Sequence, residues 1–192
     1  MNTASLPIWC TALTTALVAA AMITDLRWRR IPNVLTLSGF VLGVTVRLVF
    51  QGWVGLGLAL GGAVLAPLLL LAMHGGKGLG MGDLKLAAAI GALLGPVLAV
   101  TAILIAAVAG GVMAIGLLTA RGGGFAQLVS VLLIGVPFVR RLETRAAAKG
   151  SVPVTMPYGV AIAAGTLITV AVCSWTGQET WFLSFVGIAG SR

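Results

Sequence analysis

The stretch from Leu84 to Thr119, LKLAAAIGALLGPVLAVTAILIAAVAGGVMAIGLLT, decides the fold class of this chain. It is 36 residues long and carries one charged side chain, that of Lys85. A single helix of this length would be too long for one bilayer crossing, whereas two helices of about 27 Å each would fit. We therefore predict two membrane-spanning helices here, with a turn near Gly95-Pro96.

The rest of the chain has the same apolar character. Of its 192 residues, 59% are hydrophobic and 8% are charged, which predicts a single all-α integral membrane domain. The first apolar run resembles a signal peptide, but its arginines follow the run instead of preceding it, so we interpret it as a retained helix. The six predicted spans cover about residues 6–24, 33–50, 54–73, the two halves of 84–119, and 157–175.

The segment at 125–139 is apolar for only about 15 residues, which is short for a span. Basic residues flank it on both sides. We predict an interfacial helix.

The basic residues are distributed unevenly between the two predicted sides of the membrane. With six spans, ten of the twelve Lys and Arg residues fall on one side, and only Arg47 and Arg192 on the other. The positive-inside rule then places the ten-residue side in the cytoplasm and both termini outside. The net charge of +8 is explained by this orientation, so no nucleic-acid partner is expected.

Only four residues are acidic, and two of them, Asp25 and Asp83, lie at predicted cytoplasmic ends of spans. Ionisable groups near membrane depth are candidates for function. Each also has a structural interpretation. Asp83 could be a helix N-cap neutralised by Lys85, and Asp25 could be a solvated loop residue paired with arginines.

The chain lacks the sequence motifs of several hydrolase classes. There is no HExxH zinc motif, no GxSxG serine turn and no Walker A lysine motif. Cys10 and Cys173 both lie in apolar runs, and we predict that they are buried thiols. No metal or cofactor is therefore expected.

Two neighbouring carboxylates can hydrolyse a peptide bond without a cofactor, because they share one proton and divide the roles of acid and base. The run GLGMGD, 78–83, would then be a flexible loop that carries Asp83 to the substrate, since glycine lets backbone approach closely. We expect Asp83, near a helix N-terminus, to be the more acidic of the two, with Asp25 holding the proton.

Together these residues resemble a known family. The GxGD motif reads Gly80-Met81-Gly82-Asp83, followed by Leu-Lys85-Leu; Asp25-Leu-Arg and Arg30-Ile-Pro-Asn33 precede it, and Met156-Pro-Tyr-Gly159 comes later. The ordered set resembles type IV prepilin peptidases. The resemblance implies that Asp25 and Asp83 are catalytic, with a substrate loop and supporting residues at Gly78, Gly80, Gly82, Lys85, Pro32, Asn33, Pro157, Tyr158 and Gly159.

The resemblance also implies a substrate and a location. A prepilin or pseudopilin with a basic leader and an apolar helix would be cut at the cytoplasmic face of the bacterial inner membrane, alongside pilus or type II secretion assembly machinery. We expect the substrate's helix to lie against the first and fourth spans. The chain lacks the cysteines of the family's zinc domain, so it resembles the short, tight-adherence (Flp-type) form without methyltransferase activity.

Two other classes of function remain open at this stage. A small proton- or cation-coupled transporter could use the same aspartates, but it would place them near the bilayer midplane and often shows inverted repeats. An inert assembly subunit of a secretion machine would need neither aspartate.

Overall fold

A computed structural model describes residues 8–28, 30–74, 80–120 and 158–176. These ranges are helical, with short connections and no strand among them, in agreement with the predicted all-α class. The predicted interfacial helix at 125–139 and both termini lie outside the described residues. The five helices are α1 (Ile8–Trp28), α2 (Asn33–His74), α3 (Met81–Leu94), α4 (Pro96–Ala120) and α5 (Tyr158–Thr176).

Four of these helices, α1, α2, α4 and α5, are long and apolar enough to cross a membrane. The protein is therefore a multi-pass membrane protein. The count of six spans and the placement of the termini stay predictions.

The long helix α2 is broken at Gly52, where φ is 63° and ψ is −148°. A Cβ atom on Gly55 would collide with the carbonyl oxygen of Arg47, although eight residues of continuous helix would separate these positions by about 12 Å. The chain therefore reverses direction here, between the spans predicted at 33–50 and 54–73. We call residues 33–51 the N-terminal arm of α2 and residues 53–74 its C-terminal arm.

Helix α3 occupies the centre of the bundle. Its residues from Leu86 to Leu94 are buried with one half-buried exception. Both arms of α2 pack against it through glycine: Gly62 meets the backbone of Gly91, and a Cβ on Gly43 would stand 3.0 Å from the backbone of Ala92 and Leu93. Such contacts need residues without a side chain, because the helix backbones themselves touch.

The predicted turn between α3 and α4 is confirmed at Gly95-Pro96. Gly95 adopts φ 79° and ψ 175°, a conformation that glycine tolerates and residues with a Cβ rarely adopt. Pro96 then begins α4, where its missing N–H costs no helical hydrogen bond.

Small residues recur at four-residue spacing in the sequence, as in Gly57/Gly61, Gly91/Gly95 and Ala161/Gly165, a pattern that predicts close packing of helix backbones. The structure shows such packing for some of these pairs only. Gly91 and Gly95 face Gly62, and Gly165 of α5 packs against the backbone of α4 at Ala102 and Ala106. For Gly57 and Gly61 the prediction is wrong within the described residues, none of which lies within 4 Å of a Cβ placed there. The C-terminal arm turns Gly62 towards α3, and the neighbouring Gly61 therefore points elsewhere.

Arg47 is buried inside the bundle at 4% exposure. Its Nε donates to the carbonyl oxygen of Leu93 at 3.0 Å, and its Nη1 donates to Oε1 of Gln51 at 3.1 Å. Carbonyl groups in the last turn of a helix lack intrahelical partners, so Arg47 satisfies the end of α3. The sequence alone identified Arg47 only as a basic residue on the less basic side of the membrane.

Candidate active site

Asp25 lies in the last turn of α1, because this helix continues to Trp28 instead of ending at residue 24 as predicted. The side chain is 8% exposed and continues the buried stripe of Val18 and Ala21 along the same face. Its interpretation as a solvated loop residue is therefore wrong. Arg27 in the same turn favours the extension, since a cation stabilises a helix C-terminus.

Asp83 is the third residue of α3, which begins at Met81, three residues earlier than predicted. Gly80 is the N-cap, with its carbonyl accepting hydrogen bonds from the backbone N–H groups of Asp83 at 3.1 Å and Leu84 at 3.4 Å. The Asp83 carboxylate accepts a hydrogen bond from the Gly80 backbone in return, as in a capping box. Asp83 is thus neither the N-cap nor part of a flexible loop.

The two aspartates line one cleft of about 290 Å³ at the end of the bundle. Asp25 comes from the end of α1 and Asp83 from the start of α3. The chain between α1 and α2 supplies another side of the cleft. The remaining lining residues are Arg30, Ile31, Asn33, Gly80 and Gly82.

The pKa of Asp83 is raised from its usual value of 3.8 to about 6. Burial is the largest cause, because it penalises the charged form, and the negative charge of Asp25 adds to it. The hydrogen bond from Gly80 acts in the opposite direction and offsets only part of the shift. Which of the two aspartates is the more acidic stays a prediction, since this shift describes Asp83 alone.

Three predicted supporting residues join α2 to α3 beside the cleft. The carbonyl oxygen of Pro32 accepts hydrogen bonds from the backbone N–H groups of Leu35 at 3.1 Å and Thr36 at 3.4 Å. Helix α2 therefore begins at Asn33, as predicted. The Oδ1 of Asn33 then accepts a hydrogen bond of 3.0 Å from Nζ of Lys85. This bond ties the start of α2 to the first turns of α3.

The glycines of the GxGD motif allow close packing around Asp83. A Cβ on Gly82 would stand 3.3 Å from the Cβ of Ile31, and one on Gly80 would stand 3.0 Å from Oδ2 of Asp83. Both contacts are tight, so a side chain at either position would displace its neighbour. Gly78, the other glycine predicted for this loop, lies outside the described residues.

Helix α5 reaches the site with its first two residues. Gly159 is buried, and a Cβ there would stand 2.6 Å from Oδ2 of Asp25. The half-buried Tyr158 packs its ring against α4 at Gly110. Both were predicted as supporting residues; Pro157 lies outside the described ranges.

The sequence analysis did not select Arg30 and Ile31 as site residues, although both line the cleft. Their position between Asp25 and Pro32 was an available signal. In the described part of the chain, no three His, Cys, Asp or Glu side chains are grouped as metal ligands would be. Cys10 and Cys173 are buried thiols, as predicted.

The comparison with protein-family models identifies the relatives of this site. The model of the type IV leader peptidase family matches residues 12–115, just over half of the chain. The chain belongs to the type IV leader peptidase family. The matched region contains both aspartates and every residue that lines the cleft.

Membership of the leader peptidase family indicates a protease that acts on prepilin-type leaders at the level of the family. Searches of curated proteins and of solved structures found no significant match. Helix α5 lies after the matched region, so the evidence that it approaches Asp25 is structural only.

Proposed function

We propose that this protein is an aspartic endopeptidase that removes the leader from prepilin-like substrates, with Asp25 and Asp83 as its catalytic pair. The observation that carries the proposal is their shared cleft, in which the charge of Asp25 helps to raise the pKa of Asp83 to about 6. Two carboxyl groups that share one proton near neutral pH are the requirement for this chemistry.

In the proposed mechanism the pair holds one proton, and the two carboxyl groups divide the roles of acid and base. The protonated carboxyl group donates a hydrogen bond to the oxygen of the scissile carbonyl, and the ionised one removes a proton from the attacking water. The water oxygen bonds to the carbonyl carbon, and the proton passes to the departing amide nitrogen as the C–N bond breaks. The products are a leader with a new carboxyl group and a mature chain with a new amine.

The cleft position supports an active site at the cytoplasmic face of the bacterial inner membrane. The end of α1, the start of α2 and the start of α3 meet there, together with the basic side chains of Arg30 and Lys85. Basic residues favour the cytoplasmic side. The proposed substrate is a prepilin or pseudopilin of the Flp type, delivered for pilus or type II secretion assembly.

The same position argues against a transporter. A coupling site is expected near the bilayer midplane, whereas Asp25 lies in the last turn of α1 and Asp83 in the first turn of α3. No described feature favours a transport path over hydrolysis.

The test is cleavage of a prepilin-like substrate by the purified full chain and by Asp25→Asn and Asp83→Asn variants. Each variant keeps the shape of the side chain and removes its acid–base function, so we expect a fall in kcat of about 10³-fold. Glu179→Gln, which removes a carboxylate predicted to lie on the other side of the membrane, should cleave normally. Full activity in either aspartate variant would overturn the catalytic pair.

A further inference from the structure

A second cavity, of about 210 Å³, lies between α1 and the N-terminal arm of α2. Leu13 and Leu17 line it from α1, Leu35 and Leu42 from the arm, and the buried Leu93 from α3. We call this cavity the membrane groove. It is separate from the cleft that contains the aspartates, with which it shares no lining residue.

The wall of the membrane groove is apolar. Its one hydroxyl group, on Ser38, donates to the backbone carbonyl of Leu35 at 3.0 Å. The groove therefore offers aliphatic contacts and no charged side chain to an occupant. This chemistry fits an apolar helix or a lipid chain and excludes a polar peptide.

The groove and the aspartate cleft follow one another along the same two helices. Asn33 lines the cleft and Leu35 lines the groove, two residues further along the arm. On α1, Leu17 precedes Asp25 by eight residues, about 12 Å of helix. A chain that leaves the cleft along α1 and the arm therefore enters the groove.

Gly39 determines how closely the two walls approach. A Cβ at this position would stand 2.7 Å from both Cδ atoms of Leu17. Leu17 consequently packs directly on the backbone of the arm. Any side chain at position 39 would push Leu17 into the space that both residues line.

We infer that the membrane groove holds the apolar helix of the substrate immediately after the scissile bond, an inference that rests on the proposed function. While the bond lies between the aspartates, the helix that follows it must lie along the bundle within the bilayer. The groove begins beside the cleft and has an apolar wall over this path. The helix would then contact α1 and the N-terminal arm of α2, with α3 contributing Leu93, instead of lying chiefly between the first and fourth spans.

The helix geometry predicts a register for this contact. Leu42 lies nine residues beyond Asn33, about 14 Å along the arm, and Leu13 lies twelve residues before Asp25, about 18 Å along α1. A substrate with one or two extended residues at about 3.3 Å each after the bond, followed by helix, covers these distances. Positions about 7 to 12 after the scissile bond should therefore face the far part of the groove, near Leu42 and Leu13.

Filling the groove tests the inference through catalysis. Ser38→Trp places a large side chain in it, and Leu37→Trp is the matched control, since Leu37 is 64% exposed on the same helix and does not line the groove. Two substrates are compared: a full prepilin with its apolar helix, and a soluble peptide that ends a few residues after the bond. Ser38→Trp should raise KM about 10-fold for the full prepilin and leave KM for the soluble peptide unchanged. Leu37→Trp should change KM for neither substrate.

Cross-linking tests the inference independently of cleavage. Leu42 is replaced by a photo-reactive benzophenone amino acid in the Asp83→Asn chain, and the linked substrate position is read by mass spectrometry. Links concentrated at positions 7 to 12 support the inference even if no substrate is cleaved, a result that would overturn the proposed function alone. Links spread evenly along the substrate, links only within the enzyme chain, or equal effects of both tryptophan variants would overturn the groove assignment.

Discussion

The backbone of Gly159 lies against the carboxylate of Asp25, so that a Cβ at position 159 would stand 2.6 Å from Oδ2 and 3.0 Å from Cγ. Real Cβ atoms do not approach other atoms this closely, and Asp25, at 8% exposure, has little room to move. The start of α5 thus fixes the position of one proposed catalytic group. A residue with any side chain at 159 must displace either Asp25 or the helix.

We therefore predict that Gly159→Ala lowers kcat by about 10- to 100-fold with little change in KM, because misplacing a catalytic group by about 1 Å can cost that much. Cleavage kinetics of a prepilin-like substrate provide the measurement. Gly111→Ala is the control, since no described atom lies within 4 Å of a Cβ there. Equal activity of the two variants would show that Gly159 does not position Asp25.

The raised pKa of Asp83 predicts how stability changes with pH. The folded protein holds this proton up to about pH 6, whereas an unfolded chain loses it near pH 3.8. The resulting stabilisation is complete below pH 3.8 and is lost as the pH rises through 6, so ionised Asp83 destabilises the fold at neutral pH.

Asp83→Asn should therefore raise the free energy of unfolding at pH 7. The shift corresponds to at most about 3 kcal/mol, and partial solvent exposure reduces the expected gain to about 1 kcal/mol. Thermal unfolding in detergent, followed between pH 4 and pH 7, should show a smaller decline for the variant than for the parent protein. A variant less stable than the parent at pH 7 would contradict the raised pKa.

Two adjacent glycines in the C-terminal arm of α2 should respond oppositely to alanine. Gly62 touches the backbone of Gly91, whereas Gly61 has no described atom within 4 Å of a Cβ. Gly62→Ala forces the arm away from α3 and should destabilise by about 2 kcal/mol or more, while Gly61→Ala should be neutral or stabilising by up to about 1 kcal/mol. Thermal unfolding measures both, and similar midpoints for the pair would refute the packing of Gly62 on α3.

The sequence predicted the architecture from local features, which can be recognised within a short stretch of the chain. Apolar length located the helices, and Gly52 and Gly95 marked turns because only glycine adopts their positive φ angles readily. The family motif identified Asp25 and Asp83 as candidates. Their positions at helix ends predicted that both lie at the same end of the bundle.

Contacts between residues that are far apart in the sequence could not be predicted in this way. Nothing local to Arg47 indicates that it satisfies the end of α3, since its partner Leu93 lies 46 residues away. The approach of Gly159 to Asp25 likewise depends on how α5 packs against α1. The boundaries at Trp28 and Met81 were misplaced because the helices extend past the charged residues that we took as loop.

The hydrogen bond between Lys85 and Asn33 should couple the starts of α3 and α2 weakly. It is exposed and 3.0 Å long, and exposed polar pairs contribute about 0.2 to 1 kcal/mol. A double-mutant cycle with Lys85→Met and Asn33→Ala should give a coupling free energy of about 0.5 kcal/mol in thermal unfolding. Strict additivity of the two changes would show that the bond contributes nothing to stability.

The orientation of the bundle can be tested at its two ends. Met81 begins α3 beside the cleft and is 72% exposed, whereas Trp53 follows the reversal at Gly52 and is 83% exposed. These positions lie at opposite ends, because Arg47, close to that reversal, bonds to Leu93 at the far end of α3.

If the cleft faces the cytoplasm, a membrane-impermeant thiol reagent on cells with an opened outer membrane should label Trp53→Cys and not Met81→Cys. The background carries Cys10→Ala and Cys173→Ala, and detergent should expose both introduced thiols, which controls for reactivity. Labelling of Met81→Cys before detergent would place the cleft outside the cytoplasm, and the prediction of cytoplasmic cleavage would be wrong.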